Sequence, residues 1–419
     1  MRPKKSSPMK HIYSLILLSL LSLGLGAQTY DYRQFMQAVA RDNATLLAEQ
    51  YNVEIAAAGL QAARVFNDPE LSLAYSDNED NTLMMGRSYE AGLSYNISLG
   101  GVRRARIGVA ATEEELSRAA LADYFRTLRE AATVSWGEAW EAREREKILL
   151  DSYQTMQRVA SADSLRAALG DLRLSDARTS SMEAIAQKGD WLAARADYRN
   201  ALAELSLLAG GQAVEELAEG PLPLLAVPYT LSELMDVAEA SRADLKAAEL
   251  SSTLSKKNLA LVRASRAMEL GLELGYSYNT EVRNEIAPAP AYNGLTFGVT
   301  IPLKFSSLNR GERAAAEASV AQAERYLQAA RQMVRTEVLQ AWNAWEAACE
   351  VADHYSGEIV SDARANLESI EFAYSHGDVS LLELLTAVRT YNDVALGAAQ
   401  AQAEKLAATA HLQAALGVE

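Results

Sequence analysis

The sequence predicts a mainly helical chain carrying a pair of membrane β-hairpins within a two-fold internal repeat. Three observations predict it. Leu295, Phe297, Val299, Ile301, Leu303 and Phe305 alternate with Thr296, Gly298, Thr300, Pro302 and Lys304. An unbroken period of two, apolar against small or polar, marks a strand whose faces meet different solvents. From Gly311 onward, about 65 residues of Ala-rich sequence run without a proline, a helix of ~100 Å that no compact globule contains. Shifting the chain by 199 residues lays Tyr30 on Tyr229, Met36 on Met235, Leu46 on Leu245, Arg64 on Arg263 and Glu70-Leu71 on Glu269-Leu270 without a gap. Further matches, Gly92 to Gly298, Gly170-Asp171 to Gly377-Asp378 and Trp136 to Trp345, drift by a few residues at turns and loops, where insertions are tolerated.

Arg2, Lys4, Lys5 and Lys10 precede an apolar run over 12–25 that ends in small residues at Gly24, Gly26 and Ala27. This reads as a secretory signal peptide over residues 1–27, its apolar run too short to span a bilayer. No Cys follows the expected cleavage point, so no lipidated N-terminus is expected. Cleavage moves the formal charge from −15 to −19. An acidic exported chain is a poor partner for nucleic acid. The lone Cys349 excludes an intramolecular disulfide and reads as a thiol buried on a helix. Nothing after residue 27 approaches 18 consecutive apolar residues, so entry into a membrane must use strands.

The first repeat, 28–209, opens with a helix over 30–65 that Asn67-Asp68-Pro69 stops. A hairpin over 70–99 comes next. Leu71, Leu73 and Tyr75 face Ser72, Ala74 and Ser76 across its first strand; Tyr89, Ala91, Leu93, Tyr95 and Ile97 mark the second. After Gly100-Gly101, helical sequence runs over 102–169, turns at Gly170-Asp171, and returns over 174–208. The stretch 210–229, with Pro221, Pro223 and Pro228, is a linker. The second repeat, 230–419, restates the order, with its hairpin over 269–305 and Leu270, Leu272, Leu274, Tyr276 and Tyr278 on one face.

Strands of about ten residues suit a tilted crossing of a hydrocarbon layer. Four of them cannot close a barrel, and open edges are not tolerated in lipid, so the chain must share one barrel with copies of itself. Tyr75, Tyr89, Tyr95, Tyr276, Tyr278 and Tyr292 lie toward strand ends, where an interfacial girdle sits. The competing reading, half of a soluble β-sandwich, has no second sheet to pack against. Alanine-rich helices with Trp136, Trp140, Trp342 and Trp345 as anchors build a helical tube or a plain antiparallel coiled coil. Only the tube also accounts for the hairpins.

Catalytic readings fail on residue types. After cleavage only His354, His376 and His411 remain, none at ligand spacing from another His or Cys. Gly100-Gly101 lacks the Lys-Ser/Thr of a phosphate loop, and no nucleophile, base and orienter group together. Asp77-Asn78-Glu79-Asp80-Asn81 lacks the Gly and closing Glu of a calcium loop and reads as a solvated turn. Met84-Met85 is thin support for a copper site. No enzyme activity, cofactor or resident metal is expected.

Short motifs at the strand ends and helix turns add to the repeat. The second hairpin ends in Ile301-Pro302-Leu303, with Asn309-Arg310-Gly311-Glu312 and an Ala-rich helix after it. The first ends in Leu99-Gly100-Gly101-Val102-Arg103-Arg104-Ala105-Arg106. A glycine with an acid six residues on occurs twice, Gly170 with Asp176 and Gly377 with Glu383. Together these motifs are similar to those of the TolC-type outer membrane efflux proteins, nearest the CzcC-like heavy-metal branch, although the Cys that many relatives carry for lipidation is missing. The resemblance implies a homotrimer, each chain giving four strands to a β-barrel in the outer membrane lipid that continues into a long α-helical barrel in the periplasm. It also implies docking to a periplasmic adaptor (membrane fusion) protein and an inner-membrane pump of the resistance-nodulation-division (RND) type. Under it, Asp176 and Glu383 ring the periplasmic aperture, or sit as solvated acids near helix N-termini. The tips Gly170, Asp171, Gly377 and Asp378 meet the adaptor. Arg103, Arg104 and Arg310, with Arg106 and Arg313, meet lipid phosphates at the membrane interface, or only water. The implied function is a passive exit duct, with heavy-metal cations the leading cargo and drug efflux or type I secretion the alternative. A periplasmic coiled-coil scaffold or adaptor is the reading from another class. An adaptor needs a lipoyl-like β-domain between its arms, and the sequence shows none.

Overall fold

The computed structural model describes residues 29–80, 83–223, 225, 230–267, 269–302, 310–355 and 357–418. The expected signal peptide, Tyr229, Leu303, Lys304, Phe305 and Asn309 lie outside the described residues. In chain order the elements are β1 (Thr29–Tyr30), α1 (Tyr32–Asp42), α2 (Ala44–Arg64), β2 (Glu70–Asp77), β3 (Arg87–Ser98), α3 (Val102–Leu169) and α4 (Leu174–Leu208). They continue with β4 (Glu216–Leu217), α5 (Leu231–Ser241), α6 (Ala243–Ala264), β5 (Glu269–Asn279), β6 (Tyr292–Thr300), α7 (Arg310–His354), α8 (Gly357–His376) and α9 (Leu381–Leu416). They form two units, one holding residues 49–123 and 243–333, the other holding the remainder.

The first unit contains a four-stranded antiparallel sheet in the order β2-β3-β5-β6, so the two hairpins pair with each other through β3 and β5. Its register turns the period-two pattern into two continuous faces. Leu71, Leu93, Leu274 and Phe297 line up across all four strands, as do Leu73, Ala91, Tyr276 and Leu295. The opposite face carries rows such as Ser72, Gly92, Gly275 and Thr296. That face is crowded: a Cβ on Gly92 would lie 2.5 Å from Ser72 Oγ, and one on Gly294 2.6 Å from Ser277 Oγ. Small residues there leave room for the serine side chains opposite them. The tyrosines divide by parity. Tyr75, Tyr89 and Tyr278 pair side by side on the apolar face, with ring centroids 5.2 and 6.2 Å apart. Tyr292 pairs with Asn279 on the polar parity, so it does not join the expected girdle.

The loops beyond the strands are tied together. Arg87 reaches Asp77 at 3.1 Å and Glu79 at 3.4 Å, Arg283 reaches Glu79 at 3.2 Å, and Asn284 Nδ2 donates to the Leu83 carbonyl at 2.7 Å. The acid-rich turn is therefore a salt-bridged clasp between the hairpin loops.

In the second unit, α3, α4, α8 and α9 enclose a core of Met156, Leu367, Leu384, Val388 and Tyr391. Alanines 387, 395, 399, 401, 403, 408 and 410 on α9 are buried, which lets neighbouring backbones approach closely. Trp136 stacks near Phe35 at 5.3 Å and meets Tyr32 edge-on at 5.8 Å, anchoring α1. The helix expected over 30–65 is two helices. Asn43 leaves the helical region (ψ 117°), accepts from Leu46 N with Oδ1 at 2.9 Å and donates to the Leu208 carbonyl at 3.0 Å. Its side chain substitutes for helical bonds, which periodicity alone does not reveal. The same break recurs 199 residues on at Arg242, whose guanidinium bonds Ala415 O at 3.2 Å and Glu337 at 2.6 Å. The long helix expected after Gly311 is also two, ending at His354 and resuming at Gly357. Tyr355 lies so near Gly397 on α9 that a Cβ there would be 2.8 Å from its Oη.

Candidate functional site

Two helix-to-helix turns carry most of the singled-out residues. Gly170 (φ +85°) ends α3 and Gly377 (φ +84°) ends α8, each in the left-handed conformation that a side chain resists. Gly170 N donates to Ala167 O at 3.2 Å and Asp171 N to Arg166 O at 2.9 Å. Gly377 N donates to Tyr374 O at 3.0 Å and Asp378 N to Ala373 O at 3.0 Å. Both turns thus close the last carbonyls with the same pair of bonds. The turns are neighbours: a Cβ on Gly377 would lie 3.8 Å from Arg166 Nη2. Gly170, Asp171, Gly377 and Asp378 are all exposed.

Asp176 and Glu383 occupy the third position of the next helices, α4 and α9. There their settings part. Glu383 closes a capping box: its carboxylate accepts from Ser380 N at 2.7 Å and Ser380 Oγ at 2.9 Å. The Ser380 backbone N–H holds the Glu383 carboxyl below the usual carboxylate range. Asp176 comes after Arg173, whose side chain makes no cap, and accepts from Ser175 Oγ at 3.2 Å. The equivalence of the two acids in the sequence is one of position, not of bonding.

Behind the turns lies a polar contact that the sequence motifs do not single out. Tyr374 Oη donates to both oxygens of Asp163, at 3.0 and 2.9 Å, joining α8 to α3. Asp163 is 1% exposed. Burial, then the Asp163 bond, pushes the Tyr374 phenol above its ordinary range. Arg166 lies 6.0 Å above the Tyr374 ring. Further along α3, Ser152 donates to the side-chain oxygen of Asn392 on α9, again with both residues buried. A signal existed: Asp163 falls on the stripe of Met156, Ala160 and Ala167, an acid in core phase.

The predicted basic residues belong to the sheet-bearing unit. Arg103 donates to the carbonyl of Arg64 at the end of α2, and its guanidinium lies 4.0 Å above the Phe66 ring. Arg104, Arg106 and Arg310 are exposed. Arg313 pairs with Glu317 at 2.8 Å, and Glu317 also takes Arg263 at 3.3 Å. Among the described residues no cluster of three His, Cys, Asp or Glu is placed to hold a metal ion. No described helix is long and apolar enough to cross a membrane.

Residues 234–418 match the family described as outer membrane efflux protein. The chain is 26% identical over 356 residues to the cobalt-zinc-cadmium resistance protein CzcC of Cupriavidus metallidurans, covering 85% of this chain and 82% of that protein. Its fold is similar to the crystal structure of CusC, with a TM-score of 0.73 at 18% identity, over 95% of this chain and 96% of that one. It is also similar to the open state of the MtrE outer membrane channel of Neisseria gonorrhoeae, with a TM-score of 0.72 at 19% identity, over 92% and 88%. Family match, relative and fold converge: residues 234–418 match the outer membrane efflux protein family, and along most of its length the chain is similar to transport ducts rather than enzymes.

Proposed function

We propose that this protein is the passive exit duct of a tripartite efflux system, three copies closing one twelve-stranded outer-membrane barrel continuous with a helical barrel in the periplasm. The observation that carries this is the sheet. Its apolar face is open from edge to edge, with Leu73 75% and Phe297 81% exposed. Among the described residues β2 and β6 each have a partner on one side only. Unpaired edges are excluded from lipid, and pairing β6 of one copy with β2 of the next removes every edge. Strands of 8 to 12 residues suit a tilted crossing. The crowded polar face becomes the wet lining.

In this reading residues 1–27 are removed on export, and the repeats 28–209 and 230–419 are joined by the linker 210–229. Gly170, Asp171, Gly377 and Asp378 dock the adaptor, and the RND pump beyond it supplies the energy. Three copies of Asp176 and Glu383 focus a negative field at the aperture, which favours cations. Heavy-metal cations are the cargo we favour, because the relative aligned along most of the chain is a cobalt-zinc-cadmium resistance protein. Arg103, Arg104 and Arg310 mark the membrane boundary.

Membrane fractionation, heat-modifiable migration and the mass of the detergent-solubilised particle test the duct. An outer-membrane trimer is expected; a water-soluble monomer without affinity for detergent sinks it. In planar bilayers, Asp176→Ala and Glu383→Ala should raise conductance and weaken block by multivalent cations. Unchanged conductance and block in both removes the acids from the aperture.

A further inference from the structure

We propose that the groove at the foot of the first hairpin binds an anionic phospholipid, its phosphate on Arg106 and Arg103 and its acyl chains on the sheet. This rests on the sheet's being a membrane wall. The groove holds about 270 Å³ and is lined by Val65, Phe66, Tyr95, Ile97, Arg103 and Arg106, among others. Two kinds of surface meet in it. Tyr95 and Ile97 continue the apolar parity of β3 that runs through Leu93, so the groove opens onto the lipid-facing side. Val65 and Phe66, just past the end of α2, are large apolar side chains that stay 58% and 66% exposed, with Arg103 over the Phe66 ring. The two arginines stand where that apolar surface ends.

Arg103 is held rather than mobile. Its Nε and Nη2 donate to the Arg64 carbonyl, a helix C-terminus that favours a cation, and its guanidinium carbon lies 4.0 Å from the centre of the Phe66 ring. Its Nη1 donates to no described residue and remains for a ligand. Arg106 makes no ion pair among the described residues. From Val102 to Thr112 the start of α3 holds three arginines and no acid. A fixed, uncompensated guanidinium fork beside an apolar wall suits a phosphate diester attached to acyl chains.

The second hairpin provides the contrast within one molecule. At its foot Arg313 and Arg263 share Glu317, and Lys256 pairs with Glu324 at 2.9 Å, so these cations are engaged within the protein. The 199-residue shift places Ala264 and Ser265 where the first repeat has Val65 and Phe66. Among the described residues, the first foot is therefore the one that presents both an open cationic fork and an apolar wall. A free inorganic anion would use the fork but leave Val65, Phe66, Tyr95 and Ile97 unexplained. A phospholipid uses both.

The test uses the full-length exported protein, purified in detergent as the oligomer and offered equal amounts of phosphatidylglycerol and phosphatidylcholine before native mass spectrometry. Wild type should retain phosphatidylglycerol about fivefold over phosphatidylcholine, the effect of one basic residue at an anionic surface. Arg106→Gln should abolish that preference and Arg106→Glu should reverse it, while Phe66→Ala should lower retention of both lipids. Arg313→Gln should change nothing. Equal retention by wild type, a preference that survives Arg106→Glu, or equal competition by millimolar inorganic phosphate overturns the lipid site and leaves the duct intact. A chain that binds no detergent at all overturns the duct first.

Discussion

The turn after α3 and the turn after α8 share a backbone and differ in chemistry. Each ends its helix on a left-handed glycine and closes with the same two bonds, Gly170 with Asp171 and Gly377 with Asp378. The helices that start beyond them diverge. Glu383 is locked into a box with Ser380, whereas Asp176 stands behind Arg173 without one. The comparison teaches that a repeated motif fixes where an acid sits but not what binds it. At the second turn the acid is tied into the helix start; at the first it is half-buried and accepts from the neighbouring Ser175 hydroxyl. Tyr374, three residues before Gly377, reaches back to Asp163 on α3, so the two turns are coupled through a buried bond that only one of them supplies.

Breaking that coupling should have the largest effect. Tyr374→Phe keeps the ring and strands the Asp163 carboxylate, 1% exposed, without its hydroxyl donor. Leaving a buried charged acceptor unpaired costs about 3 kcal/mol. A lowered melting temperature is expected, together with faster hydrogen exchange in α8 near the turn. Asp163→Asn in the same background should restore part of the loss, and no loss in the single variant refutes the coupling. The glycines come next. Gly170→Ala and Gly377→Ala each place a side chain at positive φ, costing about 1–2 kcal/mol. Equal losses at the two sites are the expectation, because the backbones match; clearly unequal losses break the comparison at its base.

How much of this the sequence carried depends on contrast. The hairpins were legible because apolar and polar residues alternate without exception from Leu270 to Tyr278, and parity assigns each side chain to a face. Parity could also have moved Tyr292 to the polar face, since it shares the even register of Thr296 and Thr300. The pairing of β3 with β5 was not legible, because it joins residues nearly two hundred positions apart with no local signal. In the helices contrast fails. Alanine fills both core and surface, so the stripe that puts Asp163 in core phase rests on few apolar residues, and the breaks at Asn43 and after His354 depend on side chains that bond or pack across to other helices. The glycine turns were visible because glycine is the one residue that left-handed backbone favours. Whether the acid beyond is capped depends on the residue three positions earlier, serine at 380 and arginine at 173. That difference was already in the sequence.

Two smaller effects sharpen the contrast between the turns. Ser380→Ala removes the hydroxyl that accepts from Glu383 N at 3.4 Å and should cost about 1 kcal/mol, while Arg173→Ala, with no cap to lose, should cost nothing measurable. The pH dependence should separate them further. The folded-state carboxyl of Glu383 titrates below its unfolded value, chiefly because the Ser380 N–H bonds the charged form. Such a group adds stability above the unfolded pKa and loses it as pH falls through the lower, folded one. Acidification should therefore fray the start of α9, seen as faster hydrogen exchange there after correction for the intrinsic rate, with α4 less affected. Glu383→Gln keeps an acceptor but removes the charge, so it should flatten that dependence. If the start of α9 instead responds to acid in the Gln variant as it does in wild type, the cap is not what distinguishes the two turns, and the difference must come from Asp163 and Tyr374 behind them.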